Sequence, residues 1–314
     1  MTTTPLCAIS VDLDEIPNYF AIHGLGEPAG RSAHAVYDVA LERLERFSRD
    51  ASAALTLFAI GGDLERPESA RRLRDLAATG HEVANHTLDH RYDLTRLPRE
   101  EMKRQIEEGA MAIEAAVGER PVGFRAPGYT VSDALFDVLD ELGVKYASSV
   151  FPCPPYYLAK AARLAKMRLL GRTSRSILDV PSVLLAPTRP YRVGRPYWKD
   201  GMGVLELPIQ VTRGPRLPFI GTTLTLAGPA KARWLTRLVV GEPLVNLELH
   251  GIDVLDANDG LEALRGHQPD VIVPHQRKLE TLAAVVEVLR DNGYAFVRLK
   301  EAAQAFTRGG YACA

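Results

Sequence analysis

The segment His86-Thr87-Leu88-Asp89-His90 sets two imidazoles four residues apart. On a helical turn that spacing puts both rings on one face, where they can converge on a single metal ion. Histidine pairs of this kind are commonplace on helix surfaces, so the spacing gains meaning only from its company. Asp12 and Asp14 are the first of that company. They stand at the end of the apolar run Cys7 to Leu13, and period-two geometry sends both carboxylates to one face of a strand. Carboxylates there are costly to bury without a metal or a cation, although a capped turn beyond the strand would also account for them. Arg125 follows Val122 to Phe124, with Pro127 and Gly128 fixing the turn after it. His250 ends the run Val245 to Leu249, immediately before Gly251. Singly, the arginine reads as a solvated charge and the histidine as a structural residue.

Position joins these four signals. Short apolar runs alternate with helical patterns along the chain, the signature of βα units around a parallel sheet. Strands are predicted at Cys7 to Leu13, Leu55 to Ile60, His81 to Thr87, Val122 to Phe124, Tyr146 to Val150, Val204 to Ile209, Val245 to His250 and Ala295 to Leu299. Helices are predicted at Ala35 to Phe47, Pro67 to Ala78, Pro98 to Val117, from a Ser132 cap to Leu142, near Ala230 to Val239, and at Gln276 to Arg290. Each chemical signal falls at the C-terminal end of a predicted parallel strand, where barrel enzymes place their sites. Unrelated decorations would scatter over both ends.

The rest of the composition narrows the class. A chain of 314 residues, 46% hydrophobic and 25% charged with a net charge of −1, is an ordinary soluble globular composition with nothing that points to nucleic acid. No apolar run approaches membrane-spanning length. Met1 to Pro5 lacks the regions of a signal peptide, and Cys7, Cys153 and Cys313 are too scattered for a disulfide framework or a thiolate zinc site. A cytoplasmic setting is the expectation.

Taken in order, Asp12-Leu13-Asp14, the His86/His90 pair, Phe124-Arg125-Ala126-Pro127 and Leu247-Glu248-Leu249-His250 resemble the motifs of the polysaccharide deacetylases, carbohydrate esterase family 4, with the NodB-homology fold. The resemblance covers Ala8 to Ser149 and, more loosely, Val204 to Ala303. Leu13 between the aspartates is similar to a subset with an Asp-x-Asp first motif. The resemblance implies an α/β fold, a distorted (β/α)7-type barrel, in one domain over residues 1–314 with a large irregular insertion at about 150–200. It also implies a divalent metal, zinc first and Co2+, Ni2+ or Mn2+ as alternatives, held by Asp14, His86 and His90. Asp12 would be the general base, His250 the general acid, and Arg125 the group that orients Asp12. A backbone N–H near Gly128 or Tyr129 would complete an oxyanion site. The aspartate that the family places beside Tyr146 is Ala147 here, which leaves Asp253 as the candidate partner of His250.

Between Leu158 and Arg192 lie eight Lys or Arg residues and one acid, Asp179, and Leu158 to Leu170 has helical apolar spacing with a basic face. Such a stretch can lie on an anionic membrane or grip phosphates, or can simply dock on the barrel with its charges in water. Tyr197 and Trp198 are candidate platforms for sugar rings, with Tyr156, Tyr157 and Tyr191 beside them. The expected activity is N-deacetylation of an amino-sugar glycan, a glycolipid or a phosphorylated sugar. Competing readings are hydrolysis of a small cyclic amide or an N-formyl sugar, and a metal-retaining carbohydrate-binding protein without turnover. A homo-oligomer remains open.

Overall fold

A computed structural model describes residues 4–28, 30–309, 311 and 313. The first strand, β1 (Leu6–Asp12), is buried at every position, as an apolar run covered on both faces of a parallel sheet must be. It leads through α1 (Ile16–His23) and α2 (Leu41–Asp50) to β2 (Leu55–Ala59), and then through α3 (Pro67–Ala78) to β3 (Glu82–Asn85). Helix α4 (Arg99–Val117) precedes β4 (Gly123–Phe124), and α5 (Asp133–Glu141) precedes β5 (Tyr146–Ala147). The insertion follows, with α6 (Pro154–Leu169) and β6 (Tyr191–Val193). Then come β7 (Asp200–Glu206), α7 (Gly221–Arg237), β8 (Leu244–His250), α8 (His275–Asp291), β9 (Ala295–Phe296) and α9 (Leu299–Thr307).

The sheet runs β6-β7-β5-β4-β3-β2-β1-β8, with β9 also paired to β1. Every pairing is parallel except β6 with β7. No ladder joins β7 to β8. The gap is bridged instead by the segment after β7: Gln210 donates its N–H to Asn246 O at 3.2 Å, and the Asn246 amide donates to Leu207 O and Pro208 O. The result is an open barrel with its C-terminal strand ends on one rim.

Several predicted boundaries shift for local reasons. Tyr146 to Val150 was expected to be strand throughout, but the amides of Ser149 and Val150 donate to the Glu206 carboxylate, each at 2.8 Å, rather than to a ladder. The strand expected to reach Thr87 stops at Asn85, because Thr87 takes a φ of 71°. The helix from Ala35 begins as a π-helical turn over Val36–Ala40 before α2 proper. Helix α7 starts at Gly221 rather than near Ala230 and kinks where Gly228 precedes Pro229. The Ser132 cap forms as expected, its hydroxyl accepting from Leu135 N at 3.2 Å.

Candidate active site

Asp14, His86 and His90 converge at the rim, all buried. Asp14 Oδ1 lies 3.3 Å from His86 Nε2, and Asp14 Oδ2 lies 3.2 Å from His90 Nε2. Ligands held tetrahedrally at about 2.0–2.1 Å from zinc stand roughly 3.3 Å apart, so the spacing suits a shared ion. The polar atoms agree. Asp14 Oδ1 and both ring nitrogens of His90 are buried without a hydrogen bond, a costly state that a cation at their common focus would relieve. His86 Nδ1 donates to Arg125 O at 2.8 Å, which turns the lone pair of Nε2 inward. Burial would push Asp14 up, but His90 and His86 outweigh it and hold its carboxyl well below the usual range. Burial keeps His90 below its ordinary value although Asp14 opposes it. His86 goes the other way, because Asp12 and Asp14 overcome its burial; a metal would displace that proton.

The histidine pair does not sit on a helical turn, as its spacing suggests. It spans a loop in which Thr87 and His90 both have positive φ, 71° and 51°. Asn85 shapes that loop by accepting from Thr87 N at 2.9 Å while donating to Ile106 O at 2.8 Å. Thr87 Oγ1 accepts from His90 N, and Leu88 N donates to Gln105 O. Two rings four apart therefore meet through a left-handed loop braced on α4. Asp14 likewise lies past the end of β1, although Leu13 N still donates to Phe58 O and carries the strand's alternation onward.

Arg125 is not a solvated charge; it is fully buried. Nη1 donates to Asp12 Oδ1 at 2.6 Å, Nε to Ser148 O at 2.7 Å, and Nη2 to both Ser10 Oγ and Ser148 Oγ, while the guanidinium lies 4.1 Å from the centre of the Phe58 ring. One Asp12 oxygen is thereby spent. The other, Oδ2, lies 3.7 Å from His86 Nε2, facing the metal-ligand cluster.

His250 stands on the same rim. Its partner is Glu248 rather than Asp253: Nδ1 lies 2.9 Å from Glu248 Oε1, an ion pair without an aligned hydrogen bond. Asp253 instead accepts from the His250 backbone N–H at 2.8 Å and from the Thr222 hydroxyl at 2.9 Å, so it anchors the main chain. Burial opposes the charge on His250, but Glu248, with Asp14 and Asp12 behind it, raises its pKa well above the ordinary value. Glu248 thus favours the charged form of the ring. Period-two alternation puts Glu248 and His250 on one strand face, the signal that could have found this pair. No comparable signal marks Ser10, Ser148 and Asn246, which tie β1, β5 and β8 together around Arg125.

The expected substrate contacts divide. Tyr129 belongs to the site, but through its side chain: its N–H is taken by Ala126 O at 3.1 Å, whereas its hydroxyl lies 3.4 Å from His250 Nε2. Gly128, at φ 63°, turns its carbonyl to Lys160 Nζ at 3.0 Å. Tyr19 and Tyr92, which the sequence did not single out, wall the cleft beside His250 and His90. Tyr197 and Trp198 do not join them. Tyr197 is 2% exposed and packs on Phe136 and Trp198 within the apolar cluster beneath the insertion, so its ring offers no platform. Tyr191 is buried in the same cluster. On α6, Lys166 and Arg168 are exposed, but Lys160 turns inward and is not part of the solvated basic face.

The structure is thus an open α/β barrel with one carboxylate and two imidazoles at a single focus on its rim and the Asp12–Arg125 and Glu248–His250 pairs beside them. Residues 36–147 match the family model described as polysaccharide deacetylase, so that this part of the chain is similar to that family. Over 95 residues, 30% of this chain and 43% of the relative, it is 33% identical to a peptidoglycan-N-acetylglucosamine deacetylase of Bacillus cereus. The match thus spans less than half of that protein. A crystal structure assigned to a polysaccharide deacetylase from Mycobacterium smegmatis shares the fold, with a TM-score of 0.50 at 18% identity over 94% of each chain. A family 4 acetyl xylan esterase from Clostridium thermocellum, in complex with a cobalt ion, gives a TM-score of 0.49 at 15% identity over 98% of this chain and 93% of its own. Among the described residues no helix is long and apolar enough to cross a membrane.

Proposed function

We propose that this chain is a metal-dependent amide hydrolase that removes the acetyl group from an amino sugar of a glycan or glycolipid. The observation that carries the reading is the juxtaposition of a buried, underbonded Asp14–His86–His90 centre with a braced carboxylate and a histidine paired to a buried glutamate. Asp14, His86 and His90 would hold a divalent metal, zinc by the mixed ligand set, which would polarise the amide carbonyl and acidify a water. Asp12, with Oδ1 fixed by Arg125, presents Oδ2 as the general base. His250, charged through Glu248, donates its proton to the departing amine, and the Tyr129 hydroxyl orients its Nε2. A protein that only binds sugar has no use for such an acid–base pair, so turnover is the better reading. We read residues 1–314 as one domain with an insertion and place the protein in the cytoplasm. Exposed Leu158, Leu169 and Leu170 beside Lys166 and Arg168 would let it touch an anionic membrane.

The test is acetate and formate release from amino sugars, peptidoglycan fragments and cyclic amides, by chelated protein and by protein resupplied with Zn2+, Co2+, Ni2+ or Mn2+. Acetate from an amino sugar, restored by one of these metals, is the expected result. Turnover confined to formamides or cyclic amides would move the substrate class, and metal-independent turnover would sink the mechanism.

A further inference from the structure

Many basic side chains of this molecule are matched to carboxylates. Arg104 meets Glu101 and Glu108, Arg91 meets Asp93, Arg99 meets Glu141, and even the buried Lys278 meets Asp270. The insertion departs from this pattern. Among the described residues, Lys160, Arg163, Lys166, Arg168, Arg172 and Arg175 form no ion pair within 4.0 Å. Two of the six contact other parts of the fold. Lys160 donates to Gly128 O at 3.0 Å, and Arg163 contacts His23 Nδ1 and, at 3.3 Å, His267 O. His23 Nε2 faces Gln268 Oε1 at 3.2 Å and so carries the ring proton, which leaves Nδ1 as a neutral acceptor for Arg163. Arg163 is therefore met by neutral atoms, and Lys160 by a carbonyl, with the Asp179 carboxylate acting on it only from beyond ion-pair distance.

Between them lies a cavity of about 240 Å³, floored by Lys160, Arg163, Ser174 and Ser176 and walled by apolar groups such as Ile22 and Leu164. Burial pushes the Lys160 ammonium down to about 8, so its charge is held at a cost that an arriving anion would offset. A phosphate group suits this floor. It brings up to two negative charges and several acceptor oxygens to one lysine, one arginine and the Ser176 hydroxyl, while the Ser174 hydroxyl stays engaged with Ile22 O at 2.7 Å. The floor also connects to the chemistry. Lys160 grips Gly128, and the next residue, Tyr129, contacts His250.

We propose that Lys160, Arg163, Ser174 and Ser176 form a subsite for a phosphate group carried by the substrate. The proposal rests on the amide-hydrolase reading for its biological sense, but it can be tested without turnover. Titration calorimetry would use the full-length, metal-loaded Asp12→Asn protein with N-acetylglucosamine 1-phosphate and with N-acetylglucosamine. A second arm would use vesicles of phosphatidylglycerol against phosphatidylcholine. We expect a preference of tenfold or more for the phosphorylated sugar if the phosphate is soluble, or binding of phosphatidylglycerol vesicles alone if it is a lipid headgroup. Adding Arg163→Gln should cut either signal at least tenfold, and Arg163→Lys should restore part of it. Arg163→Gln binding as tightly as its parent would put the phosphate on the metal centre or elsewhere and overturn the subsite. No phosphate preference in either arm would overturn it too. Catalysis on neutral sugars without any phosphate preference would refute the subsite and leave the hydrolase standing.

Discussion

On the Asp14–His86–His90 side of the cleft, Asp14 Oδ1 and both ring nitrogens of His90 are buried and unbonded. A few ångströms away, all three nitrogens of the Arg125 head donate, one to Asp12 and the others to Ser148 and Ser10. Buried polar groups normally find partners, so a saturated cluster beside an unsaturated one is informative. The saturated half has the Asp12 carboxylate and the Arg125 head fixed in place by their own hydrogen bonds. The unsaturated half is built around something that must be added. If that contrast is real, the two halves will fail differently when broken.

The largest effect belongs to the unsaturated half. His86→Ala with His90→Ala should reduce bound metal from one equivalent to near none, measured by elemental analysis after dialysis against a weak chelator, and activity should vanish. The parent should also lose stability on chelation, by about 2.7 kcal/mol relative to metal held at a hundredfold excess over its Kd. The double mutant should melt at one temperature with or without metal. Unchanged stoichiometry in the mutant would mean that the unbonded atoms serve no ion.

Asp12→Asn probes the saturated half. Arg125 would keep a side-chain acceptor in the amide oxygen, and the ligand set would survive. Metal content should therefore stay at the parent's level while turnover falls by about 10²–10⁴, the usual worth of a general base. Loss of metal in this variant would exchange the roles of Asp12 and Asp14. Glu248→Gln should cost less. Its charge is the main force raising the pKa of His250, so its removal lets that pKa fall back toward the ordinary histidine value. The acid form is needed for the departing amine, so activity is present below this pKa and lost above it. The alkaline limb of the pH–rate profile should move to lower pH, with metal content unchanged. A limb that stays in place would show that His250 draws its proton from another neighbour.

The same contrast explains what could be read from the sequence. Strands and helices carry periodic patterns, so β1, β2, α3 and β8 were predicted to within a residue or two, and with them the rim on which Asp12, Arg125 and His250 stand. The histidine loop is different. Its rings meet through two positive-φ residues and an Asn85 side chain that no periodicity announces. Glu248 was visible two residues before His250 but carried no mark of its role until its burial was known. Tyr197 and Trp198 misled for the opposite reason, since an aromatic side chain looks alike in sequence whether it faces sugar or fills a core.

Gly109 tests whether the histidine loop is held from behind, and it should give the smallest effect on turnover. It lies in α4 where a Cβ would stand 2.7 Å from the Thr87 carbonyl carbon, 2.8 Å from Asn85 Oδ1 and 2.9 Å from Leu88 N. Those are backbone and braced atoms of the loop, so they cannot swing away as the end of a flexible chain could. Gly109→Ala gains about 0.5–1 kcal/mol from helix propensity but should lose about 1–3 kcal/mol to overpacking. The net change in denaturation midpoint is therefore modest. The displacement falls on Asn85 and Thr87, which set the angle of His86 and His90, so metal affinity should weaken roughly tenfold, as it does when the support behind a ligand is disturbed. At saturating metal, turnover should recover to within a few-fold of the parent, because the atoms nearest the added Cβ belong to Asn85, Thr87 and Leu88 and not to Asp12, Arg125 or His250. A variant that is more stable and binds metal as tightly as the parent would show that the loop holds its shape without α4, and that its bracing lies within Asn85 and Thr87 alone.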